Sequence, residues 1–371
     1  MSIAGKERLP MKIAVVFQQR DIPNLRAERE IRTLKHAGFD TARIAFATPR
    51  FSPIGNLAWR AVEFERHVRR VADALSASTP DLIVAHDLEA LPSAVRTGRK
   101  TIYDSHDDWP AVYADNSRLE SWIAAVFERW LVGRVAHVVT PCEPLTRKFR
   151  DIGVAATTLY NARPSGEIVR AGPREARASF GYTDQDFVVG WAAKFQPGDG
   201  SGVLLDSLGR LPRTAKALIA GGPAHEAEMI RKEARDRGIG DRVEVLGYVP
   251  YEKMGPVYAA MDVGVILLDR RKNFYNALPN RLFDYMAHGV PVLVPAYPAM
   301  SEVVQDARCG VTVEQSDVEN VSSAVRDLMA RRSEIASLGA RGRDAFESVY
   351  CWERQETAFL RVVDDAAKGP P

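Results

Sequence analysis

The chain is 371 residues long, 46% hydrophobic and 26% charged. That excludes disordered, collagen-like and low-complexity classes and is comfortable for two domains rather than one. Its 50 basic and 48 acidic side chains leave a net charge of +2, so bulk charge does not point to nucleic acid or another polyanion.

The balance is uneven: residues 1–165 carry 24 basic and 19 acidic groups, the remainder 26 and 29. A mildly basic first half is compatible with an anionic partner or a membrane surface on that side. Cys142, Cys309 and Cys351 are far apart, with no CxxC and no Cys/His cluster. Neither a disulfide framework nor a zinc site is suggested, and a reducing, cytoplasmic setting is expected. Met1–Pro10 is polar and does not read as a signal peptide, and no apolar run reaches the roughly 18 residues that span a bilayer. A membrane contact would be peripheral.

In chain order, Met11–Phe17 reads as a short β-branched strand, and Arg26–His36 has helical spacing closed by Gly38. A strand at Thr41–Phe46, an amphipathic basic helix at Ala58–Ala77 and a strand at Leu82–Ala85 follow. The alternation continues through Thr101–Asp104, Arg118–Val132, Val135–Thr140, Leu145–Ile152 and Thr157–Tyr160. It breaks at Asn161–Thr183, rich in Pro, Gly and Arg, and restarts with strands at Phe187–Ala192, Ala215–Ala220, Val243–Leu246, Val263–Leu267, Val290–Val294 and Val311–Val313. Strands and helices alternating at this length imply right-handed βαβ units and parallel sheets. The expected fold is α/β: two doubly wound, Rossmann-like domains facing across a cleft.

In open parallel sheets, ligands bind beyond the carboxyl ends of the strands. After the first strand come Gln18, Gln19, Arg20 and Asp21, with no GxGxxG; no GxxxxGK[ST] occurs either. A dinucleotide-binding oxidoreductase and a P-loop protein are therefore disfavoured. His86 and Asp87 follow one strand, and His106 follows the next in the run Asp104–Trp109. Each histidine alone reads most simply as satisfied by a nearby carboxylate; two at adjacent strand ends point to a site. The Asp107–Asp108 pair lacks further ligands at metal spacing. Lys194 precedes the Gly-rich loop Pro197–Gly202 and a helix, which suits a phosphate. In Asn276–Met286, Leu282, Phe283 and Met286 read as core, while Arg281 and Asp284 stand i,i+3 on one face. They could form a local ion pair; alternatively the helix terminus and Arg281 meet a diphosphate while Asp284 accepts hydrogen bonds from a sugar diol.

Asn276–Val292 resembles the donor-site helix of family 4 glycosyltransferases, which have the GT-B fold. Asp21–Gly38, Asp81–Asp87, Thr101–His106, Val138–Thr140 with Asn161, Leu246–Val249, Tyr258–Val263 and Ser348–Thr357 resemble other parts of a bacterial branch in the expected order. The resemblance implies retaining transfer from a nucleotide-diphosphate sugar, without a metal or other cofactor. It implies an acceptor-side domain at 1–162, a donor-binding domain at 163–350 and a closing helix at 351–371 that crosses back to the first domain. His106 matches the cleft histidine near the transferred sugar, Lys194 the first basic residue of the diphosphate pair, and Asp284 the carboxylate on the ribose hydroxyls. Asn276, Ala277 and Leu278 match the loop whose amides approach the sugar and diphosphate, and Asn280 opens the helix. Gly247 and Tyr248 match the nucleoside-side loop.

Two positions depart from the family pattern. Asn276 stands where Glu is usual, and Ser201 stands where a second basic residue is usual; Arg281 is the cation that could replace it. The partners implied are a nucleotide-sugar donor, a glycan, lipid-linked or small-molecule acceptor, no nucleic acid, and a peripheral membrane contact by the helix bearing Arg60, Arg66, Arg69 and Arg70. A nucleotide-sugar-binding partner protein without activity and a sugar-nucleotide epimerase are the alternatives.

Overall fold

The computed structural model describes residues 11–19, 24–47, 57–195, 198–314 and 317–368. Arg20, Asp21 and Pro197 lie outside the described residues, as does the side chain of Arg60. The chain forms two units: residues up to Leu159 together with those from Gln355 onward, and Tyr160–Arg354.

The first unit holds β1 (Lys12–Gln18), β2 (Asp40–Phe46), β3 (Leu82–His86), β4 (Lys100–Asp104), β5 (His137–Thr140) and β6 (Ala156–Thr158). They form one parallel sheet in the order β2-β1-β3-β4-β5-β6. Strands inside such a sheet are covered on both faces and so read as unbroken apolar runs. Ile13, Ala14, Val15 and Val16 of β1 and Leu82 through Ala85 of β3 are accordingly fully buried. On one face, Ile13, Val15 and Phe17 pack with Ala27, Ile31 and Leu34 of the helix Leu25–His36. Phe359, Val362 and Val363 of the last helix, Trp352–Lys368, complete that layer.

The second unit holds β7 (Phe187–Ala192), β8 (Ala215–Ala220), β9 (Val243–Gly247), β10 (Val263–Val265), β11 (Val292–Pro295) and β12 (Gly310–Val313). The order is β12-β11-β10-β7-β8-β9, again all parallel. Period-two alternation separates two layers along β7: Val188 enters one core with Leu282, Phe283 and Met286, whereas Phe187, Val189 and Trp191 enter the other with Leu204, Leu205 and Leu208. Leu282, Phe283 and Met286 are core, as their spacing predicts.

Chain order reverses between β1 and β3 in the first sheet and between β7 and β10 in the second. Such switch points leave a crevice at the strands' carboxyl ends. In the second sheet, Lys194 follows β7 directly, and the chain leaving β10 leads to Asn276–Pro279.

Candidate active site

In the first unit, the ends of β3 and β4 bring together a buried charged cluster. Arg26, 2% exposed, donates from Nε and Nη2 to the two carboxylate oxygens of Asp104, each at 2.7 Å, and from Nη1 to the Leu159 carbonyl at 2.7 Å. Bidentate pairing of this kind is the strong, geometrically specific form of an ion pair. Burial alone would raise the Asp104 carboxyl, but Arg26, His106 and His86 outweigh it and hold it well below the usual carboxylate range. Glu30, on the same helix as Arg26, is pushed up instead, by burial and by Asp104.

His106 Nε2 lies 2.9 Å from His86 Nδ1 and 3.2 Å from Asp104 Oδ2. Its Nδ1 is 3.4 Å from Asp87 Oδ2, and its backbone N–H donates to Asp87 Oδ1 at 3.1 Å. Burial works against a charged imidazole here, but Asp87 and Asp104 overcome it and raise His106 to about 9. His86 Nε2 stands 3.1 Å from Glu30 Oε2, so the two histidines and Glu30 line up from the partly exposed His106 ring inward. Asp87 opens the helix Asp87–Arg96 at φ +66°, a conformation that costs a non-glycine residue energy and that its contacts with His106 hold in place. His86, Asp104 and His106 are close enough to share an ion, but Arg26 already engages both oxygens of Asp104. Asp108 pairs with Lys148 at 2.7 Å.

In the second unit, a cavity of about 690 Å³ opens beside the ends of β7, β8 and β9. Lys194, Gly221, Gly222, Tyr248, Tyr251 and Arg163 are among its walls. Gly221 adopts φ +134°, and a Cβ there would stand 2.1 Å from the Ala193 carbonyl oxygen. Only glycine lets these two loops approach so closely. Its N–H donates to the Gly247 carbonyl at 2.7 Å, which joins the loop after β8 to the end of β9. Gly247 turns at φ +71° and delivers Tyr248, 75% exposed, to the rim.

Helix Asn280–His288 begins one residue later than Pro279 as a helical residue would require; Pro279, at ψ 135°, is still extended and caps it. Asn280 is exposed at the first turn, and Leu278 packs against the core. Ala277 N–H donates to the Phe274 carbonyl at 3.3 Å, which folds the loop on itself. Asp284 is not paired with Arg281. Its Oδ1 accepts from Arg163 Nε at 3.2 Å and from the Tyr251 hydroxyl at 3.3 Å, and the Arg163 guanidinium lies 3.5 Å over the Tyr251 ring. Burial, then Asp284, pushes the Tyr251 hydroxyl up. Asp284 is thus linked to two residues of the cavity wall.

Arg281 lies 4.9 Å over the Trp191 ring of β7, and among the described residues no carboxylate forms an ion pair with it. Burial pushes its guanidinium down, and its Nε has no hydrogen-bond partner. Lys194 likewise has no ion pair among the described residues, although it lines the cavity. Ser201 donates its N–H to Asp199 Oδ1 at 2.8 Å at the start of its helix and brings no charge.

Within the second unit, Lys194 and Tyr248 meet at the cavity, Gly247 stands behind its wall through the hydrogen bond from Gly221, and Asp284 joins it through Arg163 and Tyr251. Arg281 stands over β7, while His106 belongs to the first unit. Sequence reasoning missed Arg163 and Tyr251, and it also missed Arg26 and Glu30. The Gly221-Gly222 pair after β8 was the available signal at the cavity, since paired glycines after a parallel strand mark close backbone approach.

Two parallel sheets, one with a charged cluster and the other with a cavity, a lysine and paired glycines beyond its strand ends, define an α/β protein with the same architecture built twice. The first half matches the family described as Glycosyl transferase 4-like domain over residues 14–161, the second the one described as Glycosyl transferases group 1 over residues 186–331. The chain belongs to this glycosyltransferase family, with the GT-B fold. It is 29% identical over 57% of its length to a GDP-mannose-dependent alpha-(1-6)-phosphatidylinositol monomannoside mannosyltransferase of Mycolicibacterium smegmatis, covering 58% of that protein. It is 27% identical over 53% of its length to a D-inositol 3-phosphate glycosyltransferase of Mycobacteroides abscessus, covering 46% of it. The chain thus spans about half the length of these curated relatives. Among solved structures, sucrose-phosphate synthase from Thermosynechococcus elongatus superimposes with a TM-score of 0.76 at 15% identity, over 95% of this chain and 98% of that one. Anabaena HepE in complex with UDP and glucose gives 0.70 at 16% identity, over 95% and 99%.

Proposed function

We propose that the chain is a retaining glycosyltransferase whose second unit binds a nucleotide-diphosphate sugar and whose first unit takes the acceptor. The observation that carries this reading is the pair of cations around β7, Lys194 and Arg281, neither in an ion pair among the described residues. A protein rarely holds a half-buried cation such as Arg281 uncompensated unless an anion arrives to meet it. A diphosphate supplies that charge, the cavity walled by Tyr248 and Tyr251 takes the nucleoside, and Asp284 offers a carboxylate to its ribose.

In the transfer, the bond between the sugar C1 and the diphosphate oxygen breaks, and negative charge builds on that oxygen. Lys194, Arg281 and the amides of Asn276–Leu278 stabilise it; one such preorganised donor is typically worth about 2.7–4 kcal/mol. The acceptor hydroxyl bonds to C1 on the face the diphosphate leaves, and its proton passes to the departing phosphate oxygen. The resemblance alone puts His106 forward for a role in transfer; within the first unit Asp87 and Asp104 fix its orientation.

The name of the first relative favours GDP-mannose as donor and a phosphatidylinositol mannoside as acceptor, that of the second favours an inositol phosphate acceptor, and the HepE complexes make UDP-glucose the second donor to try. The test is a thermal-shift panel of GDP-, UDP-, ADP- and dTDP-sugars, followed by transfer from the labelled donor that stabilises. A ligand at 100 times its dissociation constant adds about 2.7 kcal/mol. A shift with no product on any acceptor would favour a binding partner, for which Ser201 and Asn276 speak. Conversion of donor without acceptor would favour an epimerase.

A further inference from the structure

Helix Arg118–Val132 has two unlike faces. Inward, Ala124, Leu131 and Val132 are buried, and Glu128 accepts from the Tyr103 hydroxyl at 3.1 Å and faces Lys148 Nζ at 3.4 Å. Outward, Leu119, Trp122, Ile123, Val126 and Trp130 are 65%, 64%, 51%, 50% and 54% exposed. At 100° per residue these five fall within an arc of about 100°, the width of an ordinary core-facing stripe. Five large apolar side chains in one stripe toward water exceed the scattered exposure expected of a soluble surface.

We infer that this face is where the first unit lies on an anionic lipid bilayer surface. Charge and side-chain type both favour lipid. Arg118 and Arg129 are exposed on the same flank of the stripe, and the Arg134 guanidinium lies 3.9 Å over the Trp130 ring. The helix has one exposed acid, Glu120, its other acid being the buried Glu128. Tryptophan with an apolar body and a polar N–H suits the boundary between headgroups and acyl chains, and arginines at the edge of the stripe meet lipid phosphates. Among the described residues no helix is long and apolar enough to cross a membrane, so the contact lies in the plane of the interface.

The basic helix Leu57–Ala77, which the sequence offers for the same purpose, is a weaker choice. Its Arg66 pairs with Glu63 at 3.0 Å and its Arg69 with Glu65 at 2.7 Å, so much of its charge is met within the helix. The lipid surface goes beyond the glycosyltransferase reading, and its test uses no donor sugar.

That test is flotation of the whole chain with phosphatidylcholine vesicles containing about 30% phosphatidylglycerol, at low and high salt. The wild type should float at low salt. Trp122→Ser with Val126→Ser should lower vesicle partitioning about tenfold or more while melting like the wild type, because both side chains are exposed. Arg118→Gln with Arg129→Gln should lose most of the preference for anionic vesicles but keep the residual binding to neutral ones. Failure of the wild type to float, or equal flotation of the serine variant, overturns the proposal. So does a wild-type dimer that the serine variant dissociates with no flotation by either, since the stripe then joins two copies of the chain.

Discussion

Arg281 sets two effects of opposite sign against each other. Its guanidinium is partly desolvated over Trp191 without an ion-pair partner among the described residues. Replacing such a group by an apolar one of similar size is often neutral or stabilising. Arg281→Met should therefore leave the melting temperature unchanged or higher while lowering nucleoside-diphosphate affinity about tenfold, roughly 1.4 kcal/mol; calorimetric titration alongside a thermal melt reads both. Asp284 should behave otherwise. Asp284→Asn removes the charge facing Arg163 and, in the proposed donor site, a partner of the ribose, so donor affinity should again fall about tenfold, in the range of one charge-assisted hydrogen bond of about 1.5–3 kcal/mol. Lower stability with unchanged affinity per folded molecule would reduce Asp284 to a support for Arg163. The sequence made Asp284 legible, but its pairing was not: Arg281 is three residues away and Arg163 is 121 away, and spacing along a helix says nothing about a partner so distant. His106 was legible for its place at a strand end. Its surroundings were not, because Arg26 and Glu30 arrive from another helix.

At the scale of single elements, the alternation of apolar runs and helical periods was enough to place all twelve strands to within a few residues, since both faces of each sheet are covered. It missed the short helices Trp109–Ala114 and Pro173–Ser179, and helix Asp87–Arg96, which starts directly on the last residues of the β3 motif and carries Pro92 inside it. Loop geometry was equally hidden. The loop after β8 depends on Gly221, so Gly221→Ala should cost about 1–3 kcal/mol of stability through its left-handed φ and the clash with Ala193. Donor binding should fail with it, read by the same titration. The β3 and β4 ends make a second element-scale prediction. The folded pKa of His106, about 9, lies above its ordinary 6.5, so its contribution is fully present below about pH 6.5. It is lost as pH rises through the folded value, with a slope of at most about 1.4 kcal/mol per pH unit. Melts of the wild type from pH 6 to 9 should fall more steeply than those of His106→Gln, and parallel curves would show that His106 is not charged in the fold. The same embedding should make His106→Gln lose stability below about pH 9, whatever its effect on transfer.

For the molecule as a whole, all three cysteines are free and buried, and burial pushes the Cys309 thiol up to about 11. Reactivity requires thiolate and access. A thiol reagent should therefore label none of the three in the native protein within minutes and all three in denaturant, by mass spectrometry. Rapid native labelling at Cys351 would mean that the turn before the last helix opens on that timescale. The charge asymmetry between the two halves of the sequence was legible from counting, whereas the surface that uses it was not. The stripe bearing Trp122 and Trp130 shows only in the fold, where the burial of Ala124, Glu128 and Leu131 on the inner face turns them outward.

The first unit is not one stretch of chain. Its sheet is complete by Leu159, but Phe359, Val362, Val363 and Ala366 of the last helix sit in its core, and Thr33 donates to Glu356 across 323 residues. During synthesis the second unit, continuous from Tyr160 to Arg354, can finish folding first. The apolar layer formed by Ile13, Val15, Phe17 and Ile31 must wait uncovered until the helix bearing Phe359 and Val363 has been made. A first unit whose last layer closes only after the second unit's chain has been made follows from the position of one helix.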